Sequence, residues 1–412
     1  MNKASLILFL LLAGCGPRDY FRTQVELTPC ARSANHDCRE ASLLVDEDRG
    51  YALGFVEFDD EGRFYDARQA ESVLHWLQNS SEPQYVVVYT HGWHHNASDT
   101  DFNVRRFKDS LQSIKQRHPG YRVTGLYLGW RGEILDTPYL RMLTFWNRRA
   151  VSEQLGSGPF KDFLLQVERT VKTHSENRLL TIGHSLGALA MYNALQDEWL
   201  ERLHRQGSGF GDLLLLVNPA IEARRFIELR QALPDSGPVS GEPAYPSLMV
   251  IGSEADNMTR SAFTWTRAVP ALFESGPYPG LTLELGDASP WELSTTAIGH
   301  YQPFLTHRLE SAPGLTGNAA CPAVVDGSAA LAGNPQLLAT AGDELPQLNH
   351  PSLRLQRLPV KSQAAPLWFV QTDKNVLPNH GFLNQKPFWC FAEHSLERTS
   401  GRALARQDWS IK

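Results

Sequence analysis

Long hydrophobic runs, an excess of basic charge and internal repeats are all missing from this sequence after its first residues. No apolar stretch of 18 residues follows the N-terminal segment, so we expect no membrane-spanning helix. Lys and Arg number 39 against 45 Asp and Glu, which gives a formal charge of −6. This balance does not favour nucleic acid as a partner. With 42% hydrophobic residues, the 412-residue chain has enough apolar material for a sizeable core.

Cysteine is scarce as well, with five residues in the chain. The first ends the string Leu12-Ala13-Gly14-Cys15, which follows a positively charged start and an apolar run. Small residues at this place are typical of a signal-peptide cleavage site, and the string resembles the lipobox of bacterial lipoproteins. The resemblance implies a signal peptide at residues 1–14, a lipid anchor on Cys15 and, from Gly16 in place of aspartate, the outer membrane of the cell envelope. An ordinary secretory peptide with a chance cysteine is the alternative.

Of the four remaining cysteines, two lie early in the chain, at 30 and 38, and two lie late, at 321 and 390. An exported protein meets an oxidising compartment, which permits disulfides. Cys30 with Cys38 would close a small loop, and Cys321 with Cys390 would join a late insertion to the C-terminal part of the chain. The sequence does not choose among the three connectivities of four cysteines, and free buried thiols remain the alternative.

Apolar runs alternate with amphipathic helical segments through most of the chain. The run Tyr85-Val86-Val87-Val88-Tyr89 is typical of a strand buried on both faces. The alternation predicts an α/β fold with a mostly parallel, doubly wound sheet and helices on both faces. Ligands of such sheets bind beyond the carboxyl ends of the strands. The other predicted strands are Tyr51 to Phe58, Tyr121 to Leu128, one from Leu179, Leu213 to Val217, Ser247 to Ile251 and Pro366 to Val370, and the helices include Ala67 to Leu77, Asp101 to Arg117, Phe160 to Val171 and Phe388 to Leu396.

One domain, at residues 51–396, accounts for these predicted elements. A polar, irregular lead-in at 15–50 precedes it, and a polar tail at 397–412 follows. A stretch at 311–365, rich in Ala, Gly, Pro and Leu, is expected to be an insertion. The segment 129–160 is rich in aromatic residues and cap-like. These residues either cover an apolar pocket or belong to the core: Trp130, Tyr139, Phe145 and Trp146.

The segment around Ser185 has the strongest chemical signal in the chain. Gly183-His184-Ser185-Leu186-Gly187 follows an apolar strand and opens a helical stretch. In a Gly-x-Ser-x-Gly turn of this kind the serine occupies a strained elbow with its hydroxyl exposed. The helix N-terminus adds partial positive charge where an oxyanion would form. We therefore predict Ser185 as a nucleophile, and an ordinary strand-to-helix turn is the alternative.

A second turn, His91-Gly92-Trp93, directly follows the Val86 strand. Glycine lets a backbone N–H point into a site, so the N–H groups of Trp93 and Leu186 are the candidate oxyanion donors. The three histidines at 91, 94 and 95 also suggest a metal site, but their spacing lacks the helix and the glutamate of a zincin motif. We therefore expect no metal, with a purely structural turn as the remaining alternative.

The predicted acid and base follow later strands. Asp256 comes just after the Ser247 to Ile251 strand, where a carboxylate would orient a catalytic imidazole; Glu254 is the alternative acid. His380 follows the Pro366 to Val370 strand and is the preferred base. His300, after a weaker strand at Leu281 to Leu285, is the alternate base.

Together these motifs resemble the α/β-hydrolase superfamily, in the chain order serine, acid, histidine. The resemblance implies an α/β-hydrolase fold, a catalytic triad of Ser185, Asp256 and His380, and hydrolysis of a carboxylic or lipid ester without a cofactor. The expected partners are a small-molecule or lipid ester and, through Cys15, a membrane. A thioesterase or amidase would use the same triad. A non-catalytic binding lipoprotein on a hydrolase scaffold is the alternative from another class.

Overall fold

The computed structural model of the chain describes residues 20–33, 36–133, 144–204, 209–232, 246–272, 289–311, 321, 324–326, 353–358 and 367–407. The predicted signal peptide, Cys15, Tyr139, the predicted strand at Leu281 to Leu285 and most of the predicted insertion lie outside these residues. In the described ranges, no helix has the length and apolar character needed to cross a bilayer.

Twelve strands within the described ranges form one sheet. The strands are β1 (Cys30–Arg32), β2 (Leu43–Asp46), β3 (Tyr51–Phe58), β4 (Gln84–Thr90), β5 (Arg122–Trp130), β6 (Arg178–His184), β7 (Leu213–Val217), β8 (Leu248–Ser253), β9 (His307–Ser311), β10 (Val324–Asp326), β11 (Leu353–Arg357) and β12 (Leu367–Thr372).

Their order across the sheet is β1-β2-β3-β5-β4-β6-β7-β8-β12-β9-β11-β10. In this order, the eight successive strands from β3 to β9 all run parallel, whereas β2 is antiparallel to β3 and β11 is antiparallel to β9. The predicted α/β class with a mostly parallel sheet is therefore confirmed.

Helices cover both faces of this sheet. The helices within the described ranges are α1 (Ala67–Gln78), α2 (Phe102–Arg117), α3 (Phe145–Leu155), α4 (Pro159–Val171), α5 (Leu186–His204), α6 (Ile227–Gln231), α7 (Phe263–Ala271), α8 (Pro290–Thr295) and α9 (Lys386–Gln407). Val86 and Val88 of β4 belong to a hydrophobic cluster with side chains from α1, α3, α4 and α5, whereas Val87 belongs to a second cluster with α2 and α9. Successive strand residues point to opposite faces, so the centre of β4 is apolar because each face packs against helices.

Strands and helix extend further toward both ends of the described chain than the sequence predicts. The prediction of an irregular lead-in at 15–50 is wrong in part, because β1 and β2 lie there and extend the sheet. The predicted polar tail at 397–412 begins inside α9, which continues to Gln407. The stretch 311–365 contributes β10 and β11. These strands are only three to five residues long, so they carry little period-two signal.

Two disulfides are present. The Sγ atoms of Cys30 and Cys38 are bonded, and the Cα atoms lie 6.0 Å apart. The Sγ atoms of Cys321 and Cys390 are also bonded, with the Cα atoms 5.4 Å apart. The second bond joins the region of the predicted insertion to α9, as the sequence interpretation considered. Both Cα separations lie in the usual range for disulfides.

Candidate active site

Ser185 lies in the turn between β6 and α5, with a backbone φ of +56°. A positive φ is costly for a residue with a Cβ atom, so the surrounding structure must hold it. The Ser185 N–H donates to the carbonyl of Val217 at 3.1 Å, and its carbonyl accepts from the N–H groups of Ala188 and Ala220 at 3.1 and 3.2 Å. These bonds fix the strained elbow that the Gly-x-Ser-x-Gly string predicts.

The glycines of the motif are required by close packing of the backbone. A Cβ atom on Gly183 would lie 2.7 Å from the Cα of Ala188, and one on Gly187 would collide with the carbonyl oxygens of Thr90 and His91. Real Cβ atoms do not approach neighbours so closely. Gly183 and Gly187 therefore let α5 start directly against the ends of β4 and β6, and this places Ser185 at the carboxyl edge of the sheet.

Asp256 and His380 form a close pair at the same edge. The Nδ1 atom of His380 lies 2.7 Å from Oδ2 of Asp256, whose side chain is fully buried. Burial raises the pKa of this carboxyl, but hydrogen bonds from His380, the Thr259 hydroxyl and the Met258 N–H outweigh it and lower the pKa to about 2. Asp256 is therefore an anion that accepts a hydrogen bond from Nδ1–H of His380, which leaves Nε2 as the basic atom.

His300 reaches the same carboxylate only through Thr259. Its Nε2 lies 2.9 Å from the Thr259 hydroxyl, which in turn donates to Oδ2 of Asp256 at 2.5 Å. Because a hydroxyl has one proton, this arrangement makes His300 a donor to Thr259. Burial lowers the pKa of His300, which favours the neutral ring. The alternative acid is engaged elsewhere, since Glu254 accepts from Arg308 at 3.0 Å.

The loop that carries His380 is held by two residues of neighbouring strands. Nε2 of His184 lies 2.8 Å from the carbonyl oxygen of His380, and Nδ2 of Asn218 donates to the same oxygen at 2.9 Å. Asn218 also accepts from the Ser253 N–H at 2.9 Å. Burial lowers the pKa of His184 to about 3, so its ring is neutral and donates through Nε2.

Asn218 and Thr259 are site residues that the sequence interpretation missed. Asn218 directly follows β7 and has a φ of +43°, a conformation that asparagine tolerates better than most residues. Its position after a buried strand was an available signal. Thr259 gave none, because a threonine three residues after an acid is common.

The predicted oxyanion donors lie next to Ser185. The N–H of Leu186 belongs to the first turn of α5, where backbone donors have no helical partner. A Cβ on Gly92 would lie 2.8 Å from the Cβ of Ser185, so the His91-Gly92-Trp93 turn packs against Ser185. Within the described residues, neither the Trp93 nor the Leu186 N–H donates a hydrogen bond. Both groups are therefore available to a ligand atom.

The His91 side chain stabilises this turn through its contacts with Trp130 and Gly92. The Trp130 N–H donates to its Nε2 at 3.1 Å, its Nδ1 lies 2.9 Å from the Gly92 carbonyl, and the His91 and Trp130 rings stack 5.6 Å apart. Burial lowers the pKa of His91 to about 4, so the ring is neutral. In the described part of the chain, only Cys30, His36 and Cys38 bring three potential metal ligands within 4.8 Å, and the two cysteines are joined to each other.

A largely apolar pocket adjoins Ser185. Its lining includes Ser185, His184 and His380, and the predicted aromatic segment contributes only Phe145 among its described residues. Trp130 belongs instead to the core, and Trp146 is half exposed. No hydrogen bond joins Ser185 to His380 within the described residues, although such bonds are often long in free enzymes. The other lining residues are Trp93, His94, His95, Ala220, Met258, Thr259, Ala262, Phe263 and Thr266.

Comparison with known proteins gives no relative for this chain: it matches no family model, no curated protein and no solved structure. The chemistry of the site must therefore be inferred from its geometry. That geometry combines a strained serine and a histidine bonded to a buried aspartate at one largely apolar pocket, together with the N–H groups of Trp93 and Leu186, which donate no hydrogen bond within the described residues.

Proposed function

We propose that this chain is a serine hydrolase of α/β-hydrolase fold that cleaves an ester through an acyl-enzyme. The observation that carries the proposal is the convergence of three elements on one pocket. Ser185 lies on a strained elbow, and His380 lies in the same pocket with its ring bonded to buried Asp256. The chain order of serine, acid and histidine also supports the hydrolase fold.

The geometry supports a two-step acyl transfer. Nε2 of His380 removes the Ser185 hydroxyl proton as Oγ attacks the ester carbonyl carbon, and the oxyanion accepts from the Trp93 and Leu186 N–H groups. His380 then gives its proton to the departing alcohol, which leaves an acyl group on Oγ. His380 then takes a proton from water as the water oxygen attacks the acyl carbon, and it returns that proton to Oγ as the C–Oγ bond breaks, which releases the acid and regenerates Ser185. Asp256 stays ionised and stabilises the imidazolium throughout.

The pocket supports an ester with an apolar part. Phe145, Met258, Ala262 and Phe263 present hydrocarbon near Ser185, and apolar side chains bind acyl or aryl groups by excluding water. The two catalytic steps use side chains and backbone N–H groups only, so no cofactor enters the proposal. Thioesters and amides would pass through the same steps, so the preferred bond is a question for the assay.

We also propose that the mature chain begins at Cys15 and is lipid-anchored in the bacterial cell envelope. The support is the Leu12-Ala13-Gly14-Cys15 string after an apolar run. Metabolic labelling with an alkyne-tagged palmitate tests this directly. We expect label on the wild-type chain and none on the Cys15→Ser variant; label on both would contradict the assignment.

A fluorophosphonate probe tests the catalytic proposal. We expect the purified chain from residue 15 on, with Cys15→Ser, to form an adduct that mass spectrometry maps to Ser185. The Ser185→Ala and His380→Ala variants should lose labelling, whereas His300→Ala should retain it. Label lost in His300→Ala but kept in His380→Ala would assign the base to His300. A folded chain that is never labelled would contradict the hydrolase proposal and favour a binding lipoprotein.

A further inference from the structure

The segment from Met258 to Leu272, here called the roof segment, forms one wall of the pocket. It comprises a π-helical turn at Met258–Ala262 and then α7. Its inner face contributes Ala262, Phe263 and Thr266 to the pocket. Trp146 of α3 holds it by donating to the Thr266 carbonyl at 3.2 Å. The roof segment is therefore packed on one side and directly adjoins the catalytic centre.

A second side of the roof segment is apolar and exposed. Trp265 is 81% exposed, Val269 64% and Leu272 70%. Their spacing of four and three residues places them on one face of a helix, here called the outer face. The roof segment contains no Asp or Glu. Large apolar side chains grouped on a surface mark an interaction site, and the absence of acidic residues removes a source of repulsion from an anionic surface.

The N-terminal end of the described chain lies at the same edge of the sheet as this segment. The N–H of Phe21 donates to the Glu57 carboxylate at 3.1 Å, and the Tyr20 ring stacks on Tyr65 at 5.7 Å. Glu57 is the last residue but one of β3, which is parallel to β6 through the intervening strands. Tyr20 is therefore at the carboxyl edge, where β6 ends beside Ser185.

A short tether links this edge to the membrane if Cys15 carries a lipid. Tyr20 lies five positions after Cys15, and a fully extended chain over five residue steps spans at most about 18 Å. The bilayer surface must then lie within about that distance of the carboxyl edge. The roof segment follows β8 at the same edge of the sheet, so the tether holds the edge that carries the outer face near the lipid surface.

We propose that the outer face docks on the bilayer that holds the Cys15 lipid, so that the pocket opens toward the lipid surface. The proposal rests on the lipid anchor proposed above and names the surface from which the ester substrate would enter. Burying the three exposed side chains in the interfacial region supplies the apolar contribution to binding. Exposed Arg260 adds a positive charge to the segment.

Vesicle binding without the lipid anchor tests the docking surface alone. The chain from residue 15 on, with Cys15→Ser, is mixed with vesicles of phosphatidylethanolamine and phosphatidylglycerol, and the bound fraction is measured by co-sedimentation. The test variant carries Trp265→Ser and Leu272→Ser. We expect its partition coefficient to fall by about tenfold or more. The matched control is Leu27→Ser, because Leu27 is an exposed leucine, at 58%, that does not belong to the roof segment. Its neighbour Glu26 accepts through its carbonyl from the Ser72 hydroxyl in the middle of α1. The control variant should bind as the parent does.

The outcomes separate the docking proposal from the catalytic one. Fluorophosphonate labelling of Ser185 reports the folded site in each variant, because the outer face does not line the pocket. Equal vesicle binding by the parent and the double variant, with labelling intact, would overturn docking and leave the hydrolase proposal standing. Concentration-dependent dimerisation that the double variant loses, without vesicle binding, would overturn it in favour of contact between copies. Vesicle binding without fluorophosphonate labelling of Ser185 would support the docking proposal and contradict the catalytic proposal.

Discussion

At the scale of single residues, the carboxylate of Asp256 connects two histidines that have different roles. Its Oδ2 lies 2.7 Å from His380 Nδ1 and 2.5 Å from the Thr259 hydroxyl, and His300 donates to that hydroxyl. Two donors on one oxygen restrict the rotation of the carboxylate. We therefore interpret Thr259 and His300 as positioning residues that hold the acid, and His380 as the base.

Substitution of Thr259 tests this interpretation. Thr259→Val keeps the shape of the side chain but removes the donor to a charged acceptor, a bond of about 1.5–3 kcal/mol. We expect kcat for ester hydrolysis to fall by about tenfold or more, and Thr259→Ser to restore most of it. The measurement is kcat and KM for a chromogenic ester in each variant. A Val variant with unchanged kcat, or a Ser variant no better than Val, would show that the hydroxyl does not position the acid.

Gly92 offers a second test at this scale. A Cβ atom at this position would lie 2.8 Å from the Cβ and 3.3 Å from the Oγ of Ser185. Gly92→Ala should therefore displace the nucleophile or the Trp93 N–H, and loss of one oxyanion donor costs about 10²–10³ in rate. We expect the fluorophosphonate labelling rate to fall by at least about 100-fold. Gly120→Ala is the control, since a Cβ there meets no atom within 4 Å; equal labelling rates in the two variants would contradict the role of this turn.

At the scale of elements, the sequence predicted best the strands that position the site. The buried parallel strands β4, β6, β7 and β8 are continuous apolar runs because helices cover both of their faces. The elbow at Ser185 was predictable because its glycines meet backbone atoms of β4 and α5. The strands β1, β2, β10 and β11 near the sheet edges were not, because three to five residues that include charged side chains carry less pattern than the all-apolar residues of β7. The position of Asn218 against His380 depends on a contact 162 residues away in sequence, which local patterns do not contain.

The N-terminus of α2 links helix stability to the turn beside the active site. The Asp101 side chain accepts from the Asn103 N–H at 2.7 Å and lies 3.2 Å from Nδ1 of His95. Asp66 caps α1 in a simpler way, by accepting from the Arg68 N–H at 3.0 Å. The two aspartates therefore differ in how many neighbours outside the helix each one holds.

Alanine substitutions at the two caps should differ in cost. Loss of a capping side chain lowers the free energy of unfolding by about 0.5–2 kcal/mol. We expect Asp66→Ala near the lower end of this range, and Asp101→Ala at or above the upper end, because the His95 contact is lost as well. Urea unfolding of both variants measures the difference. Equal losses would show that the contact between Asp101 and His95 adds nothing to stability.

At the scale of the whole molecule, two buried histidines couple stability to pH. Burial lowers the pKa of His91 to about 4 and that of His184 to about 3. In the unfolded chain both rings take a proton near pH 6.5. Between that pH and the folded pKa the unfolded state binds more protons, so the free energy of unfolding falls as pH falls, by about 1.4 kcal/mol per unit for each ring. Asp256, with a pKa of about 2, contributes a loss only below about pH 4.

Replacing one ring should therefore flatten the pH dependence. His184→Gln retains a side-chain donor toward the His380 carbonyl but cannot take up a proton. Between pH 6 and pH 5 we expect the slope of unfolding free energy against pH to be lower than that of the parent by up to about 1.4 kcal/mol per unit, as measured by urea unfolding at each pH. His75→Gln is the control, because His75 lies exposed in α1 and its loss should leave the slope unchanged. A parental slope in His184→Gln would mean that His184 already carries a proton in the folded chain, and a charged ring beside His380 would oppose the imidazolium that acyl transfer requires.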